Sequence, residues 1–408
     1  MKLIYNLAIL IMRIGVAIAS PFNTKARLFV RGRNNVFATL QTLSKSKTVW
    51  VHCASLGEFE QGLPVMELIK KEYPQHKILL TFFSPSGYEV RKNYIGVDSV
   101  TYLPWDTRHN AKKFVELVKP ALVIFVKYEF WHHYLNALNA HKIPIVSICS
   151  IFRSEQVFFK SYGAFNRNIL RNVSYFFVQN QISLKLLQSI GIVNAVLAGD
   201  TRFDRVNQIV KDAAEIPLMS WFKQKDKIFV IGSSWSEDFD VLKNFINQQN
   251  IKFVIAPHEI SESSLKSIEE GLNVATIRYS KANDSSAISA KVMIIDNIGM
   301  LSRIYRYGEF AYIGGAFGKG LHNILEAACY GMPVIFGNRK YQKFKEAVDL
   351  IGRGGAFAIN DEMDLLSVYQ RLEVAGHYQQ ACDETRRYVE ENLGATEKIM
   401  SYCRPLLA

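Results

Sequence analysis

Cysteine is scarce in this chain and is not arranged to hold a metal or a disulfide framework. Five cysteines occur in 408 residues, and no two of them have the C-x-x-C spacing of a zinc site or a redox motif. An odd, dispersed set also leaves no framework of paired bridges. The cysteine pattern therefore excludes a disulfide-rich secreted domain and indicates a reducing compartment.

Solenoid repeats, low-complexity segments and dense blocks of basic residues are missing as well. Without a Lys/Arg block, a zinc-finger pattern or an RNA-binding signature, nucleic acid is not expected as a partner. The 49 Lys and Arg residues still exceed the 37 Asp and Glu residues by 12, which favours an anionic membrane surface or a phosphorylated substrate. With 49% hydrophobic residues, a chain of 408 residues is expected to form two domains with large cores.

One long apolar run is present, Leu3 to Ala19, and it is interrupted by Asn6 and Arg13. Its end, Ala17-Ile18-Ala19, resembles a signal-peptide cleavage site. Arg13 splits the apolar region, however, and the basic residues that follow it disfavour translocation of the chain, namely Lys25, Arg27, Arg31 and Arg33. We therefore predict that residues 3–19 stay attached as an anchor, with the rest of the chain in the cytoplasm. The anchor either crosses the membrane or lies in its surface, and Arg13 favours the surface.

Short apolar runs alternate with helical stretches after residue 35. Continuous apolar strands separated by helix-length connections predict parallel sheets that are covered on both faces. The fold class is therefore α/β, with two doubly wound, Rossmann-like domains. The predicted strands are Val49–Cys53, Ile78–Phe82, Val100–Leu103, Leu122–Val126, Ile143–Cys149, Tyr175–Gln179, Ala195–Ala198, Ile228–Gly232, Lys252–Ala256, Val292–Asp296, Phe310–Ile313, Val334–Phe336 and Ala356–Ile359.

The predicted domain order starts with the anchor and basic segment, residues 1–34. An N-terminal domain at 35–210 and a C-terminal domain at 211–408 follow, and the last helix is a candidate to return to the first domain. The mixed stretch Val206 to Lys227 is the predicted link. Since ligands in such folds bind beyond the carboxyl ends of the strands, a cleft between the two sheets is the expected site.

A glycine loop lies between two predicted strands, within Glu309 to Gly337. Gly314 and Gly315 end the strand Phe310–Ile313, and glycines there let a ligand approach the backbone. A helix predicted to begin near His322 and Asn323 would offer N–H groups and a positive dipole end to a phosphate. Glu326 follows Asn323 by three residues, so its carboxylate is placed to accept from a ribose diol. The alternative is a buried strand-turn-helix whose glycines serve packing.

The second candidate cluster follows the first predicted strand, at Ser55, Gly57 and Glu58. A carboxylate at this position suits a general base. The same Ser-x-x-Glu spacing is also a capping box, in which both side chains satisfy free N–H groups at a helix start. Local sequence does not separate these two roles.

Four weaker candidates stand at other strand ends, each with a structural alternative. Ser86 belongs to a polar loop or a simple turn, and Glu129, near Trp131, suits a sugar or lies on a rim. Ser233 and Ser234 are placed to donate to a phosphate. His258 suits a ligand contact or, more commonly, a hydrogen-bonded loop position.

Taken in order along the chain, these positions resemble one family, the 3-deoxy-D-manno-octulosonic acid (Kdo) transferases of lipopolysaccharide assembly. The order and spacing of the motifs carry the resemblance. The matching segments are Trp50 to Glu58, Pro104 to Asp106, Gly199 to Asp204, Gly232 to Glu237, Gly314 to Phe317, His322-Asn323 and Glu326 to Ala328.

The resemblance implies a GT-B arrangement of the two domains and a membrane-associated, cytoplasmic enzyme of the inner membrane. It implies transfer of Kdo from CMP-Kdo to a lipid A precursor, with inversion of the anomeric centre and without a metal or another cofactor. Glu58 would be the general base, and Ser55, Gly57, Ser86 and Glu129 would lie on the acceptor side. The donor would be bound by Ser233, Ser234, His258, Gly299, Gly314, Gly315, His322, Asn323 and Glu326.

Two departures from the family pattern affect the donor side. The family's Pro-Arg-His segment appears here as Pro257-His258, without the arginine, and its Met-Gly-Glu-Leu run appears with Met300 in place of the acid. Gly299 still offers its backbone there. Two alternative functions remain. A non-catalytic membrane scaffold would lose no function when Glu58 is changed. The other alternative is a GT-B enzyme that uses a UDP-sugar, either another glycosyltransferase or an epimerase. It shares the glycine loop and Glu326 but does not explain the anchor.

Overall fold

The computed structural model describes residues 1–41, 43 and 47–408. Contacts divide the chain into two compact units, residues 1–204 with 393–408, and residues 205–392. The sequence predicts the boundary at residue 210, whereas the division falls after Asp204. The final helix belongs to the first unit.

The first unit is built on seven parallel strands. In chain order these are β1 (Thr48–Cys53), β2 (Lys77–Phe82), β3 (Ser99–Tyr102), β4 (Pro120–Val126), β5 (Ile145–Ser150), β6 (Tyr175–Val178) and β7 (Ala195–Leu197). They lie in the order β3-β2-β1-β4-β5-β6-β7, so the chain reverses its winding between β1 and β4. The helices that begin before the division are α1 (Lys2–Ala19), α2 (Thr24–Arg31), α3 (Val36–Gln41), α4 (Leu56–Glu72), α5 (Pro85–Arg91), α6 (Arg108–Val118), α7 (His132–Ala140), α8 (Ala164–Leu170), α9 (Gln181–Ser189) and α10 (Thr201–Asp212), the last of which crosses it.

The second unit is also built on seven parallel strands, but four of them, rather than three, precede the reversal of the winding. Its strands are β8 (Ile228–Ser234), β9 (Lys252–Pro257), β10 (Thr276–Arg278), β11 (Val292–Ile294), β12 (Phe310–Ile313), β13 (Val334–Gly337) and β14 (Ala356–Ile359). Their order is β10-β11-β9-β8-β12-β13-β14, with the reversal between β8 and β12. The remaining helices are α11 (Pro217–Lys223), α12 (Ser236–Gln248), α13 (Glu262–Glu270), α14 (Asp284–Ser289), α15 (Leu301–Ile304), α16 (Leu325–Ala328), α17 (Lys345–Arg353), α18 (Glu362–Glu373), α19 (Ala375–Glu391) and α20 (Ala395–Leu407), the last of which returns to the first unit.

Apolar side chains cover both faces of the first sheet. Along β1, Trp50 joins one buried cluster, whereas Val49 and Val51 join the other, because successive side chains of a strand point to opposite faces. The cluster around Val49 also contains Ile399 and Met400 of α20. The C-terminal helix is therefore part of the first core. The predicted strands and two doubly wound domains are confirmed; only the edge strand β10 was not predicted.

The helix α1 is long and apolar enough to cross a membrane, yet one side of it contacts the first unit. Tyr5 donates its hydroxyl to Asp106 at 2.5 Å, and Asn6 pairs with the His133 ring at 2.7 Å. Asp106 also accepts from two backbone N–H groups at the start of α7, and burial raises its pKa to about 6. Large apolar residues of α1 remain exposed, namely Leu3, Ile4, Leu7, Leu10, Ile11, Ile14 and Ile18.

Arg33 differs from the other basic residues that follow the anchor. Its guanidinium lies 3.7 Å from the ring centroid of Phe29 and also faces the ring of Trp105. It donates to the carbonyl oxygens of Leu103 at 2.9 Å and Phe83 at 2.6 Å. Such contacts fix α2 to the sheet end. Arg33 is therefore engaged within the first unit.

Candidate active site

The first candidate cluster lies at the carboxyl ends of β1 and β4, the two strands between which the winding of the first sheet reverses. Neighbouring strands that wind in opposite directions leave a crevice at their carboxyl ends, where ligands of doubly wound folds bind. Glu58 follows β1 in the first turn of α4, and Glu129 follows β4. Since β1 and β4 are paired, the fold brings these two carboxylates to the same point.

Glu58 is buried, with 5% of its surface exposed. It accepts hydrogen bonds from the backbone N–H groups of Ala54 and of Ser55, the latter at 3.1 Å. Glu58 is therefore a helix-capping residue, one of the two roles that the sequence leaves open. Its pKa is raised to about 7, mainly by burial and secondly by the charge of Glu129, against the opposing charge of Lys127. A carboxyl with this pKa also has the property that general bases need near neutral pH.

A buried hydrogen-bond chain holds Glu129 in place. Glu129 Oε2 pairs with His52 Nε2 at 2.8 Å and accepts from the Trp131 indole N–H at 3.2 Å. The other ring nitrogen of His52 lies 2.8 Å from the Thr81 hydroxyl, which also accepts from Trp50 Nε1 at 2.8 Å. Because the indole can only donate, the Thr81 O–H is left to donate either to His52 Nδ1 or to the Val51 carbonyl oxygen at 3.5 Å. This chain aims His52 Nε2 at the Glu129 carboxylate and fixes the position of both side chains.

Ser55, Gly57 and Ser86 lie around Glu58. The backbone of Ser84 donates to the Ala54 carbonyl at 3.0 Å, which joins the ends of β1 and β2. Ser86 shares a hydroxyl contact of 2.7 Å with Ser84, and Gly57 faces open space. The structure thus gathers all the predicted acceptor-side residues at one end of the first sheet.

The second candidate cluster lies where β8 and β12 end. Ser233 and Ser234 close β8, and Gly314 and Gly315 follow β12. A Cβ on Gly314 would clash with the Ser233 carbonyl oxygen, so only glycine lets these strand ends meet. Ser233 adopts a φ of 53°, and a register shift in β8 falls between Gly232 and Ser234. Such strained backbone is characteristic of functional sites.

Asp238 ties the glycine loop to the helix after β8. Its carboxylate accepts from the N–H groups of Trp235 at 2.9 Å and Gly315 at 2.8 Å, and from the Tyr312 hydroxyl at 2.8 Å. Asp238 and Asp240 form the D-x-D pair of the sequence, and because a helix is expected to run after Gly232, the pair is predicted to lie on a solvated helix face rather than to bind a metal. That prediction is wrong for Asp238, which is fully buried, and right for Asp240.

The helix predicted to start near His322 begins later. The structure has α16 at Leu325–Ala328, a single turn, and Asn323 precedes it as part of the loop. A helix this short has little dipole to offer. The N–H groups of Gly314 and Gly315 are also engaged, with Gly232 and Asp238. The helix-start mechanism is therefore wrong, and any anion held here must be met by side chains and by other parts of the loop.

Asn323 and Glu326 are joined directly. The Asn323 amide donates to Glu326 Oε1 at 3.2 Å, and its oxygen accepts from the Leu325 N–H at 3.2 Å. This pairing orients the carboxylate of Glu326. Gly299 follows β11, and β9 lies between β11 and β8 in the sheet. Gly299 has a φ of 93°, and a Cβ at this position would meet no atom within 4 Å. The segment that carries Gly299 leads into α15, whose Leu301 reaches Gly232 near the end of β8.

Two histidines and one tryptophan stack beside the loop. The ring centroids of Trp235 and His258 are 4.3 Å apart, and those of His258 and His322 are 4.6 Å apart. The Trp235 indole N–H donates to His322 Nε2 at 3.0 Å, which requires that this nitrogen be unprotonated. Burial and the neighbouring His258 lower the pKa of His322 to about 4. A neutral His322 therefore stands at the predicted donor site.

Sequence reasoning missed a group of cations around the glycine loop. Lys340 Nζ donates to the Gly318 carbonyl oxygen at 2.5 Å, and Lys319 lies 5.5 Å from the Trp235 ring centroid. Lys343 Nζ would lie 3.8 Å from a Cβ on Gly320, and the Arg339 guanidinium is 5.9 Å from the Phe317 centroid. The signal was available, because basic residues crowd the segment directly after the predicted strand Val334–Phe336.

Sequence comparisons point to one family. The family described as "3-Deoxy-D-manno-octulosonic-acid transferase (kdotransferase)" matches residues 29–205. A 3-deoxy-D-manno-octulosonic acid transferase of Aquifex aeolicus is 26% identical over 79% of this chain and 85% of its own length. One from Rickettsia typhi is 25% identical over 88% of this chain and 79% of its own. A bifunctional glycosyltransferase/methyltransferase of Fusobacterium nucleatum is 23% identical over 95% of this chain, which spans 61% of that protein.

Solved structures share the fold at low sequence identity. UDP-GlcNAc 2-epimerase from Neisseria meningitidis, bound to UDP-GlcNAc, has a TM-score of 0.58 and 15% identity, covering 87% of this chain and 98% of that one. The epimerase of Methanocaldococcus jannaschii has a TM-score of 0.53 at 15% identity, covering 87% and 99%. These similarities confirm the predicted GT-B fold and extend no further.

Proposed function

Because the chain belongs to the Kdo transferase family of glycosyltransferases, we propose that it transfers Kdo from CMP-Kdo to a lipid A precursor, with inversion and without a metal. Glu58 is the general base in this proposal. The observation that carries it is the buried carboxyl of Glu58, with a pKa of about 7, at the reversal of the first sheet.

The proposed reaction is a single displacement. The acceptor hydroxyl oxygen attacks the anomeric carbon of Kdo as its proton passes to Glu58. The bond from that carbon to the phosphate oxygen breaks, and CMP leaves with the electron pair. Removing the proton as the new bond forms is what a base near neutral pKa does best. Burial, and secondly the charge of Glu129 held by His52 and Trp131, keep the pKa of Glu58 high enough for this task.

The second unit supplies the donor side of the proposal. A departing phosphate is stabilised by donors and positive charges that are already in place. The hydroxyls of Ser233 and Ser234 and the cations around residues 314–320 meet this need. Asn323 and Glu326 are placed as a pair for the ribose. The family arginine near Pro257 is absent, and the aromatic stack of Trp235, His258 and His322 is the natural surface for the nucleotide.

The anchor supports a lipid acceptor at the cytoplasmic face of the inner membrane. One side of α1 is fastened to the first unit by Tyr5 and Asn6, and the rest exposes apolar side chains. We propose that α1 lies in the membrane surface, because a helix held along the protein on one side has apolar area left for lipid on the other. A cavity of about 550 Å³ lies beside α1 and is lined by Arg13, Ile14 and Trp105 among others. Its apolar lining suits an acyl chain, and Arg13 suits an anionic group of the same lipid.

The test is product analysis. Purified protein is incubated with a lipid A precursor and a CMP-Kdo generating system, and the lipid is examined by mass spectrometry. A mass increase equal to one or more Kdo residues is expected. Parallel incubation with UDP-GlcNAc tests the alternative function. Epimerisation or sugar transfer from UDP-GlcNAc, with no Kdo added to the lipid, would overturn the proposal.

A further inference from the structure

The charge around the glycine loop exceeds what one phosphate needs. Four exposed cations surround residues 314–320, namely Lys319, Arg339, Lys340 and Lys343. One acid faces the same loop, since a Glu237 oxygen would lie 3.0 Å from a Cβ on Gly318. The rim therefore carries a clear positive excess.

The cations differ in how they are held. Lys340 is fastened to the loop through the Gly318 carbonyl, and Lys319 lies over Trp235 near Glu237. Lys343 has its ammonium above Gly320 and 5.2 Å from the ring centroid of Phe344. Within the described parts of the chain, no carboxylate lies within ion-pair distance of Lys343. Its charge is thus available to a ligand.

The position of Lys343 points to a second anionic group on the donor. The serine hydroxyls and Gly314 lie at the ends of β8 and β12, whereas Lys340 and Lys343 follow β13, the next strand in the sheet. Their ammonium groups nevertheless reach the glycine loop, Lys340 at the Gly318 carbonyl and Lys343 beside Gly320. The Gly320 N–H donates to the Gly315 carbonyl at 2.7 Å, so Lys343 stands next to the strand end assigned to the phosphate, where it can meet a group attached to the same carbon as the phosphate.

We propose that Lys343, with Lys340 beside it, binds the carboxylate that an ulosonic acid carries on its anomeric carbon. This inference rests on the proposed function and names what selects the donor. In a CMP-linked ulosonate, phosphate and carboxylate share one carbon. A neutral sugar linked to a nucleotide has no such carboxylate. Lys343 therefore selects CMP-linked ulosonates against neutral sugar nucleotides.

The experiment compares two ligands in three proteins. The Kd values of CMP and of freshly prepared CMP-Kdo are measured by tryptophan fluorescence, since Trp235 lies beside the loop. The proteins are wild type, Lys343→Met and the matched control Lys345→Met, whose ammonium pairs with Asp349 on its own helix. We expect Lys343→Met to weaken CMP-Kdo binding about tenfold, as for loss of one charge-assisted contact, with the Kd of CMP within about twofold.

Three results decide between the possibilities. Equal weakening of CMP and CMP-Kdo would show that Lys343 binds phosphate, and unchanged binding of both would show that it binds neither; each overturns the inference. Retained CMP binding in Lys343→Met also shows that the variant is folded. If wild type binds CMP-Kdo but adds no Kdo to lipid, the proposed function fails, while selective loss in Lys343→Met still supports a carboxylate site.

Discussion

The two units place their candidate residues at the same topological position and give them opposite charge. In the first sheet, the reversal between β1 and β4 carries the carboxylates of Glu58 and Glu129 over a buried histidine. In the second, the reversal between β8 and β12 carries hydroxyls, a glycine loop and a rim of cations. In the proposed function, the fold fixes where a ligand binds, and the side chains at that position decide whether it loses a proton or is held as an anion.

The largest expected effect separates chemistry from binding. Glu58→Gln keeps an oxygen for the N–H groups of Ala54 and Ser55 but cannot take a proton. We expect kcat to fall roughly 10²- to 10⁴-fold, the usual contribution of general base catalysis, while the Kd of CMP is unchanged. The matched control is Glu60→Gln, because Glu60 lies two residues further along α4 and forms an ion pair with Arg91. A wild-type kcat in Glu58→Gln would show that Glu58 is not the general base, and the first unit would lose its proposed catalytic role.

The second prediction disturbs the other unit. Asp238→Ala leaves the buried N–H groups of Trp235 and Gly315 without their acceptor, which we expect to lower the free energy of unfolding by about 3 kcal/mol. The loosened loop should bind CMP about tenfold more weakly. Asp238→Asn keeps an oxygen for both N–H groups and should restore most of both. Chemical denaturation and CMP titration measure the two effects, and unchanged CMP affinity in Asp238→Ala would show that the loop does not hold the donor.

The third prediction concerns the cost of keeping Glu58 buried. Its pKa of about 7 in the folded protein stands above the ordinary value of 4.5, so the unfolded chain binds fewer protons between these values. Folding stability from this group is therefore full below about pH 4.5 and lost as the pH rises through about 7. We expect the unfolding free energy of wild type, relative to Glu58→Gln, to fall by up to about 3 kcal/mol between pH 4.5 and 8. Equal pH dependence in the two proteins would contradict a raised pKa.

The smallest effect tests the coupling between the two carboxylates. As a base, Glu58 acts only when ionised, so kcat should fall about tenfold per pH unit below about pH 7. Glu129→Gln removes a charge that raises this pKa, and the acidic limb should move to lower pH by about one unit or less. A pH profile of kcat measures the shift. Movement toward higher pH would mean that Glu129 does not act on Glu58 through its charge.

The repeated fold was predictable because its pattern is local. Apolar runs such as Phe310–Ile313 stand between polar loops, and every strand with a continuous apolar run was found. The edge strand β10 escaped prediction because Thr276–Arg278 is short and lacks an apolar run. The prediction that a helix starts near His322 is wrong for another reason. The backbone there is held by long-range contacts such as His322 N–H to Gly314, which local helix signals do not register.

The candidate site was predictable where a side chain follows a strand and not where its role comes from distant partners. Glu58 and Ser233 are adjacent to strand ends in the sequence. Asp238 resembles half of an exposed pair in the sequence, whereas Tyr312 and Gly315, far along the chain, surround it in the fold. His52 likewise gains its role only from Thr81 and Glu129. The cleft expected between the two sheets stays a prediction.

The return of α20 to the first core has a consequence for how the protein is dissected. The first unit is made of two pieces of chain, and the second is one continuous insert between them. A fragment of residues 205–392 leaves no strand of its sheet behind, so it is the natural piece to produce alone. A fragment that stops at Asp204 strips Ile399, Met400, Cys403 and Leu407 from the first core and exposes that face. The first unit, which carries Glu58 and Glu129, is best obtained by joining residues 1–204 to 393–408 with a short linker.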